Sequence, residues 1–486
     1  MDLTTEGKAA KPPRRIPIGP IAGAAVAVIA TVSLALVSLS LSTGSTSAHA
    51  TPGAASSISA QGTPPGSDAT ADAPAGSGSG SPSPTPTPVA TPTVTEHFVA
   101  KGTEPTVTAD PFHPGVVAVV TQNIYMSSAT VGCSRPTVRI SKDDGATWGN
   151  PSQPWNNQCQ DIHAIVAWGP NGRLWAGDAM GYEGGVSMSV THSDDGGLHW
   201  TTPFIQQFTK PWSGCFPAIA VDTWPNSPNY GTVYISYNWL PNDYGPGVAI
   251  MASRDGTNWF HTEVNLEALA GYPFSWRIGY RIKAAPDGTA WVSFYQSDLK
   301  SWSPNAMLWE GDPATNIGRM GFEIAHIHFN GKTVTADQPY WATSVDHTEA
   351  QWDSGLAVDD SGRPWLAVET NGRIALGSPE GGWREFEVGG KDSFKPSLAV
   401  SGKNIFVGWH AMDTDGETWT YYTLSYDGGQ TFLPPARVTG TSWFAPTNVN
   451  GVGLRECADA ANGVFYYAYG DNRSSGAGVY VSRIKP

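Results

Sequence analysis

An eight-residue phrase recurs along this chain, and its spacing restricts the fold more than any other feature. Ser141-Lys-Asp-Asp-Gly-Ala-Thr-Trp148 returns as Ser193-Asp-Asp-Gly-Gly-Leu-His-Trp200 and as Ser425-Tyr-Asp-Gly-Gly-Gln-Thr-Phe432. A copy one residue shorter is Ser253-Arg-Asp-Gly-Thr-Asn-Trp259. The frame is Ser-x-Asp-x-Gly-x-x-aromatic, and its parts suit a tight hairpin. The acids Asp143, Asp195, Asp255 and Asp427 can accept backbone N–H groups inside the turn. The glycines Gly145, Gly197 and Gly429 tolerate the positive φ such a turn needs. The serines can bond locally. Trp148, Trp200, Trp259 and Phe432 start the return strand with a large apolar face.

The copies are blade-sized intervals apart. Ser141 to Ser193 is 52 residues, Ser193 to Ser253 is 60, and Ser253 to Ser425 is 172, about three such intervals. Two further units are therefore expected in the long gap. They are read at Arg281–Gly288 into Thr289–Tyr295, and at Gly355–Gly362 into Pro364–Glu369, the second with a worn turn at Ser378–Trp383. The same two-strand phrase opens at Pro105, Ala164, Pro217, Pro396 and Cys457, which makes seven units of period-two strands around Gly or Asp turns. The last unit has only three strands before the chain stops. An orphan strand, His97-Phe-Val-Ala100, precedes the first. It is expected to pair beside Tyr480 and Val481, join the two chain ends and remove an open sheet edge. The expected fold is all-β, a seven-bladed propeller of four-stranded antiparallel blades over residues 96–486, with six blades as the alternative.

This frame resembles the Asp-box, or BNR, repeat of sialidase-like β-propellers. The resemblance implies that the box acids brace hairpins between the third and fourth strands, away from the functional face. It carries architecture rather than activity. In the enzymes of that family three arginines grip a substrate carboxylate, beside a Tyr–Glu nucleophile pair and an Asp acid/base. Guanidinium forks suit that task. Arg281, Arg455 and Arg473 are the candidates for such a triad, and Tyr295 with Glu369 for the pair. The family's Arg-Ile-Pro motif occurs here only as Arg15-Ile-Pro17, outside the propeller, and is a decoy. A two-acid glycosidase would draw on Asp161, Asp178 and Glu369. All these residues fall where loops enter strand one or leave strand two, a mixed-charge rim that also holds His163, His410 and Glu456. No nucleophile-elbow serine, phosphate loop or nucleotide fingerprint is present.

The N-terminal ninety-five residues are of another kind. Residues 1–15 end in Arg14-Arg15. Residues 16–41 carry no charge and are long enough to span a bilayer's apolar core of about 30 Å. The preceding basic pair places the N-terminus in the cytoplasm. This segment reads as a signal anchor, or as a signal peptide cut after Ala48-His-Ala50; its length favours the anchor. Residues 42–95 are rich in Ser, Thr, Pro and Gly and read as an unstructured spacer. The propeller is thus expected outside the cytoplasm, tethered or secreted.

Charge narrows the partners. The chain carries −14, and the part beyond residue 50 carries −16, because Lys8, Lys11, Arg14 and Arg15 outnumber Asp2 and Glu6 before it. An acidic body argues against nucleic acid. Four cysteines in an exported chain suggest disulfides: Cys133–Cys159 first, with Cys215 and Cys457 left, or the alternative 159–215 with 133–457. No cofactor or metal is expected. Asp413-Thr-Asp-Gly-Glu417 is faintly like a calcium loop but reads as a hairpin turn. The expected protein is a monomeric, exported propeller that binds a glycan, peptide or protein at its mouth. The alternatives are a sialidase-like glycoside hydrolase of exo-alpha-sialidase type, or a non-catalytic propeller like the assembly factors built on the same repeat.

Overall fold

The computed structural model describes residues 91–122, 124–127, 130–155, 163–182, 185–207, 216–239, 247–264, 274–299, 316–345, 354–370, 372–379, 381–444, 456–473 and 476–486. The expected membrane segment and most of the spacer lie outside these residues. Among the described residues no helix is long and apolar enough to cross a membrane.

Among the described residues seven of eight antiparallel sheets follow one another around a ring, and the eighth is a two-stranded hairpin, Ile124–Ser127 with Thr130–Ser134. Blade one is Thr103–Ala109, Val117–Gln122 and Thr137–Ser141, with a single bridge from Val138 to Ser152 at its outer edge. Blade two is Ile165–Trp168, Leu174–Tyr182, Gly185–Ser193 and Phe204–Gln207. Blade three is Ala218–Val221, Val233–Trp239, Gly247–Ser253 and Phe260–Glu263. Blade four is Phe274–Ala284, Ala290–Leu299, Asn316–Phe329 and Val334–Ala336, with Tyr340–Val345 also on its third strand. Blade five is Ser354–Val358, Pro364–Thr370, Arg373–Gly377 and Trp383–Phe386. Blade six is Asp392–Ser401, Asn404–Met412, Glu417–Ser425 and Ala436–Arg437. The first strands of consecutive blades touch all the way round, the seventh against the first, so the count is seven and not six.

Blade seven is made from both chain ends: Cys457–Ala461, Val464–Asp471, Gly478–Lys485 and then Thr93–Lys101. His97 stands opposite Val481 and Phe98 opposite Tyr480, and a bulge sets Val99 between Phe98 and Ala100. The Phe98 and Tyr480 rings meet edge-on, centroids 5.5 Å apart. Arg473 fastens this joint. Its Nη2 and Nη1 donate to the two carboxylate oxygens of Glu96 at 2.7 and 3.0 Å, and its Nε to Asp471 at 2.6 Å.

The second strands are buried on both faces, because each blade packs between two others. All six residues of Val117–Gln122 are buried. That is why these strands read as near-continuous apolar runs in the sequence. The repeated turns then lock one blade to the previous one. In the first, Ser141 Oγ donates to Asp143 Oδ1 at 2.7 Å and accepts the Gly145 N–H at 2.8 Å, while Asp143 accepts the Thr147 N–H at 2.9 Å. The same bonds recur around Ser193 and Ser425, and in shortened form around Ser253. Each turn glycine has positive φ, and Gly197, Gly256 and Gly429 press on the blade before them. A Cβ on Gly256 would stand 2.5 Å from Trp175 of blade two, and one on Gly429 would stand 2.5 Å from Trp365 of blade five. The first turn also reaches blade seven, where Tyr466 Oη donates to Asp144 at 2.6 Å and Arg483 lies 3.1 Å from the same carboxylate.

Candidate functional site

The seven inner strands enclose a channel of about 230 Å³. It is strapped across by side chains from blades on opposite sides. Lys283 of blade four lies 3.3 Å from Asp459 of blade seven, and Asp459 also accepts the Ala109 N–H at 3.0 Å. Arg281 Nη2 donates to the Glu456 carbonyl at 3.1 Å.

At the end where the inner strands start, a polar layer is sealed under the surface. Glu104, His163, Lys395 and Glu456 are each less than 5% exposed. Carboxylates, imidazoles and amines rarely sit that deep without pairing. His163 Nε2 is 3.6 Å from Glu104 Oε2, and its ring is 4.2 Å from that of Phe216. Glu104, Phe216 and Lys395 occupy matching places in blades one, three and six, each just before a proline. All three have left-handed backbones, with φ of 50, 52 and 51°. Register shifts span the first and last of these, between Thr103 and Thr106 and between Phe394 and Ser397. A bulge of this kind re-aims a side chain at a local cost, and such strained residues gather at functional sites.

The best-defined group in the layer is built between blades six and seven. His410 Nε2 lies 2.8 Å from Glu456 Oε1, Tyr467 Oη donates to Glu456 Oε2 at 3.0 Å, and Thr420 Oγ1 lies 3.1 Å from His410 Nδ1. The Gly470 N–H adds a fourth contact at 3.3 Å. Burial works to raise the Glu456 pKa. The charges of His410 and Lys395 and the bonds from His410 and Tyr467 outweigh it and hold the carboxyl below the usual range.

The residues singled out from sequence divide clearly. Asp178, Tyr295 and Glu369 do sit at this end of the molecule, but at 0, 5 and 5% exposure they lie beneath the rim and not on it. Arg281 belongs to the channel wall. Arg473 does not join it, because its guanidinium is taken up by Glu96 and Asp471 at the closing joint. Asp161 and Arg455 fall outside the described residues. The four turn acids are spent inside their own hairpins. Bonds from Thr147 and Ser141 hold Asp143 down at about 2, and bonds from Asn258 and Thr431 do the same for Asp255 and Asp427. Cys457 corrects only the pairings that included it, with Cys133 or with Cys215. Its thiol is free, accepts the Val107 N–H at 2.9 Å, and is pushed up to about 11 by burial. The side chains of Cys133, Cys159 and Cys215 are outside the described set. Asp413 to Glu417 is a hairpin turn, with Lys391 Nζ 3.0 Å from the Asp413 carboxylate where a calcium ion would need to sit. Among the described residues one group brings donors close enough to share an ion: His326, His328 and Asp337, on the outer half of blade four.

Glu104 and Lys395 were missed from sequence. The signal was available in the dipeptides Glu104-Pro105, Phe216-Pro217 and Lys395-Pro396, which recur at one place in the repeat. A residue before proline is conformationally restricted, so the recurrence marked a special backbone.

Comparison with known proteins adds little. No protein-family model matches the chain, and no curated protein matches it. Among solved structures it is similar to a Penicillium chrysogenum alpha-L-arabinanase complexed with arabinobiose, at 12% identity and a TM-score of 0.44, covering 65% of this chain and 93% of that one. It is also similar to a PL25 ulvan lyase, at 10% identity and TM-score 0.47, covering 79% and 94%. A Trypanosoma rangeli sialidase in complex with the inhibitor DANA matches at 11% identity and TM-score 0.40, covering 79% and 55%. Likenesses this distant carry no weight for ligand or chemistry. The seven-bladed architecture rests on this chain's own strand order.

Proposed function

We propose that this chain is an exported propeller of the Asp-box kind that binds a glycan at the face where its inner strands start. One observation carries the reading. Three non-glycine residues, Glu104, Phe216 and Lys395, are held in left-handed conformations at matching places beside a buried layer of charged and hydrogen-bonding groups. Strained residues gather at functional sites, and buried charges are costly to keep, so their concentration at one end supports a ligand face there. Polyhydroxy ligands suit a polar face, and this layer of carboxylates, imidazoles and an amine lies beneath that face and positions it. The uncharged segment 16–41 and the spacer 42–95 would hold that face outside the membrane. A sialidase-type clamp is the weaker reading, because Arg473 is committed to Glu96 and Asp471.

The test is a glycan array on the full-length chain, run beside a panel of fluorogenic glycosides. Retention of a defined carbohydrate class without turnover is expected. Turnover of a glycoside would move the reading to hydrolysis, and retention of no glycan would overturn it.

A further inference from the structure

The outer half of blade four holds a cluster that the mouth does not use. His326 and His328 are two apart on strand Asn316–Phe329, so both side chains leave the same face of the sheet. Asp337 follows the partner strand Val334–Ala336, and its N–H donates to the His326 carbonyl at 2.9 Å. The three side chains therefore lie side by side. His328 Nε2 is 3.0 Å from Asp337 Oδ2, and His326 Nδ1 is 3.7 Å from the same oxygen. The three donor atoms lie within 4.8 Å of one another. Ligand atoms about 2.0–2.1 Å from a tetrahedral zinc stand roughly 3.3–3.4 Å apart, and the two measured separations bracket that spacing.

A second observation concerns which nitrogen of His326 is bare. Thr289 has one hydroxyl hydrogen and gives it to Asp287 Oδ1 at 2.5 Å. Toward His326 Nε2, 2.6 Å away, it can then only accept. Nε2 is therefore the protonated nitrogen, and in the neutral ring Nδ1 turns a bare lone pair toward the Asp337 carboxylate. Trp291 stacks on that ring with centroids 4.2 Å apart and planes 15° from parallel, which fixes its aim. A lone pair facing a carboxylate calls for a positive charge between them. The chain Asp287–Thr289–His326 is also the kind of support that orients a ligating imidazole.

We propose that His326 Nδ1, His328 Nε2 and the Asp337 carboxylate form a divalent transition-metal site, with zinc the ion best suited to the set and water in its open position. Imidazole donors select against calcium and magnesium. The His328 and Asp337 side chains are 42 and 59% exposed, so an ion can enter from solution. The ion would clip the third strand of blade four to the fourth, in a blade that has no Ser-x-Asp-x-Gly turn to do so.

The test titrates the full-length chain with Co²⁺ alone, read by visible absorption, and with Zn²⁺ alone, read by calorimetry. One equivalent with a tetrahedral or five-coordinate cobalt spectrum, displaced by zinc, is expected. The exposed substitutions His328→Gln and Asp337→Asn should each weaken binding by tenfold or more. Thr289→Val, which touches no ion, should weaken it about 10–100-fold by releasing His326. Near-ultraviolet circular dichroism identifies any variant that fails to fold, and the wild-type cobalt spectrum decides the matter without variants. Absence of that spectrum, or an unchanged stoichiometry in the His328→Gln, Asp337→Asn double variant, would overturn the site.

Discussion

Acids of the repeated turns and acids at the channel mouth occupy opposite settings. Asp143 and Asp427 sit in hairpins whose own serine, threonine and backbone groups satisfy them, and nothing beyond the turn is needed. Glu456 is buried, and its partners come from two blades. Glu104 is paired with a histidine one blade away. An acid's place in a repeat, not its frequency there, says what it does. The turn acids stabilise a local shape. The mouth acids hold different parts of the chain in register.

Substitutions that break this contrast should differ in size. The largest effect is expected from His410→Ala, which leaves the Glu456 carboxylate buried without its imidazole partner. Removing one member of a buried pair costs about 3–5 kcal/mol, to be read by urea unfolding. Arg473→Met comes next. It removes charged hydrogen bonds to Glu96 and Asp471 at the joint of the two chain ends, each worth roughly 1.5–3 kcal/mol before solvent exposure discounts it. Limited proteolysis should then release the N-terminal strand before the other blades are cut. Gly355→Ala is smaller, about 1–3 kcal/mol, because the new Cβ would meet the Leu398 nitrogen at 2.7 Å and the inner strands must part.

The smallest effect belongs to the turns. Asp427→Asn should cost less than about 1 kcal/mol, as its carboxylate is open to water. Its pH signature has a definite sign. Bonds from Thr431 lower its pKa from the usual 3.8 to about 2, so its contribution is complete above pH 4 and disappears as pH falls through 2. A fall in melting temperature between pH 4 and 2 in the wild type, reduced in Asp427→Asn, checks this.

Most of the fold was legible because a propeller is periodic. The turn frame fixed the hairpins, the two-strand phrase fixed the blades, and the short final blade pointed to Phe98 and Tyr480 as partners. The mouth was legible only in part. Loop positions singled out Asp178, Glu369, His410 and Glu456, but sequence does not display depth, and these residues, read as an open rim, are buried. Sequence position conceals partners in the same way. Arg473 lies at the right point of its blade, yet the strand completing that blade comes from the other end of the chain and brings Glu96 with it.

The most direct measurement compares Glu104→Gln with Asp427→Asn, using affinity for the glycan that the wild-type chain retains. Glu104→Gln should weaken binding by tenfold or more with the fold intact by circular dichroism, while Asp427→Asn binds as the wild type does. Equal affinities for the two variants, or loss confined to Asp427→Asn, would contradict a ligand site at the inner-strand face.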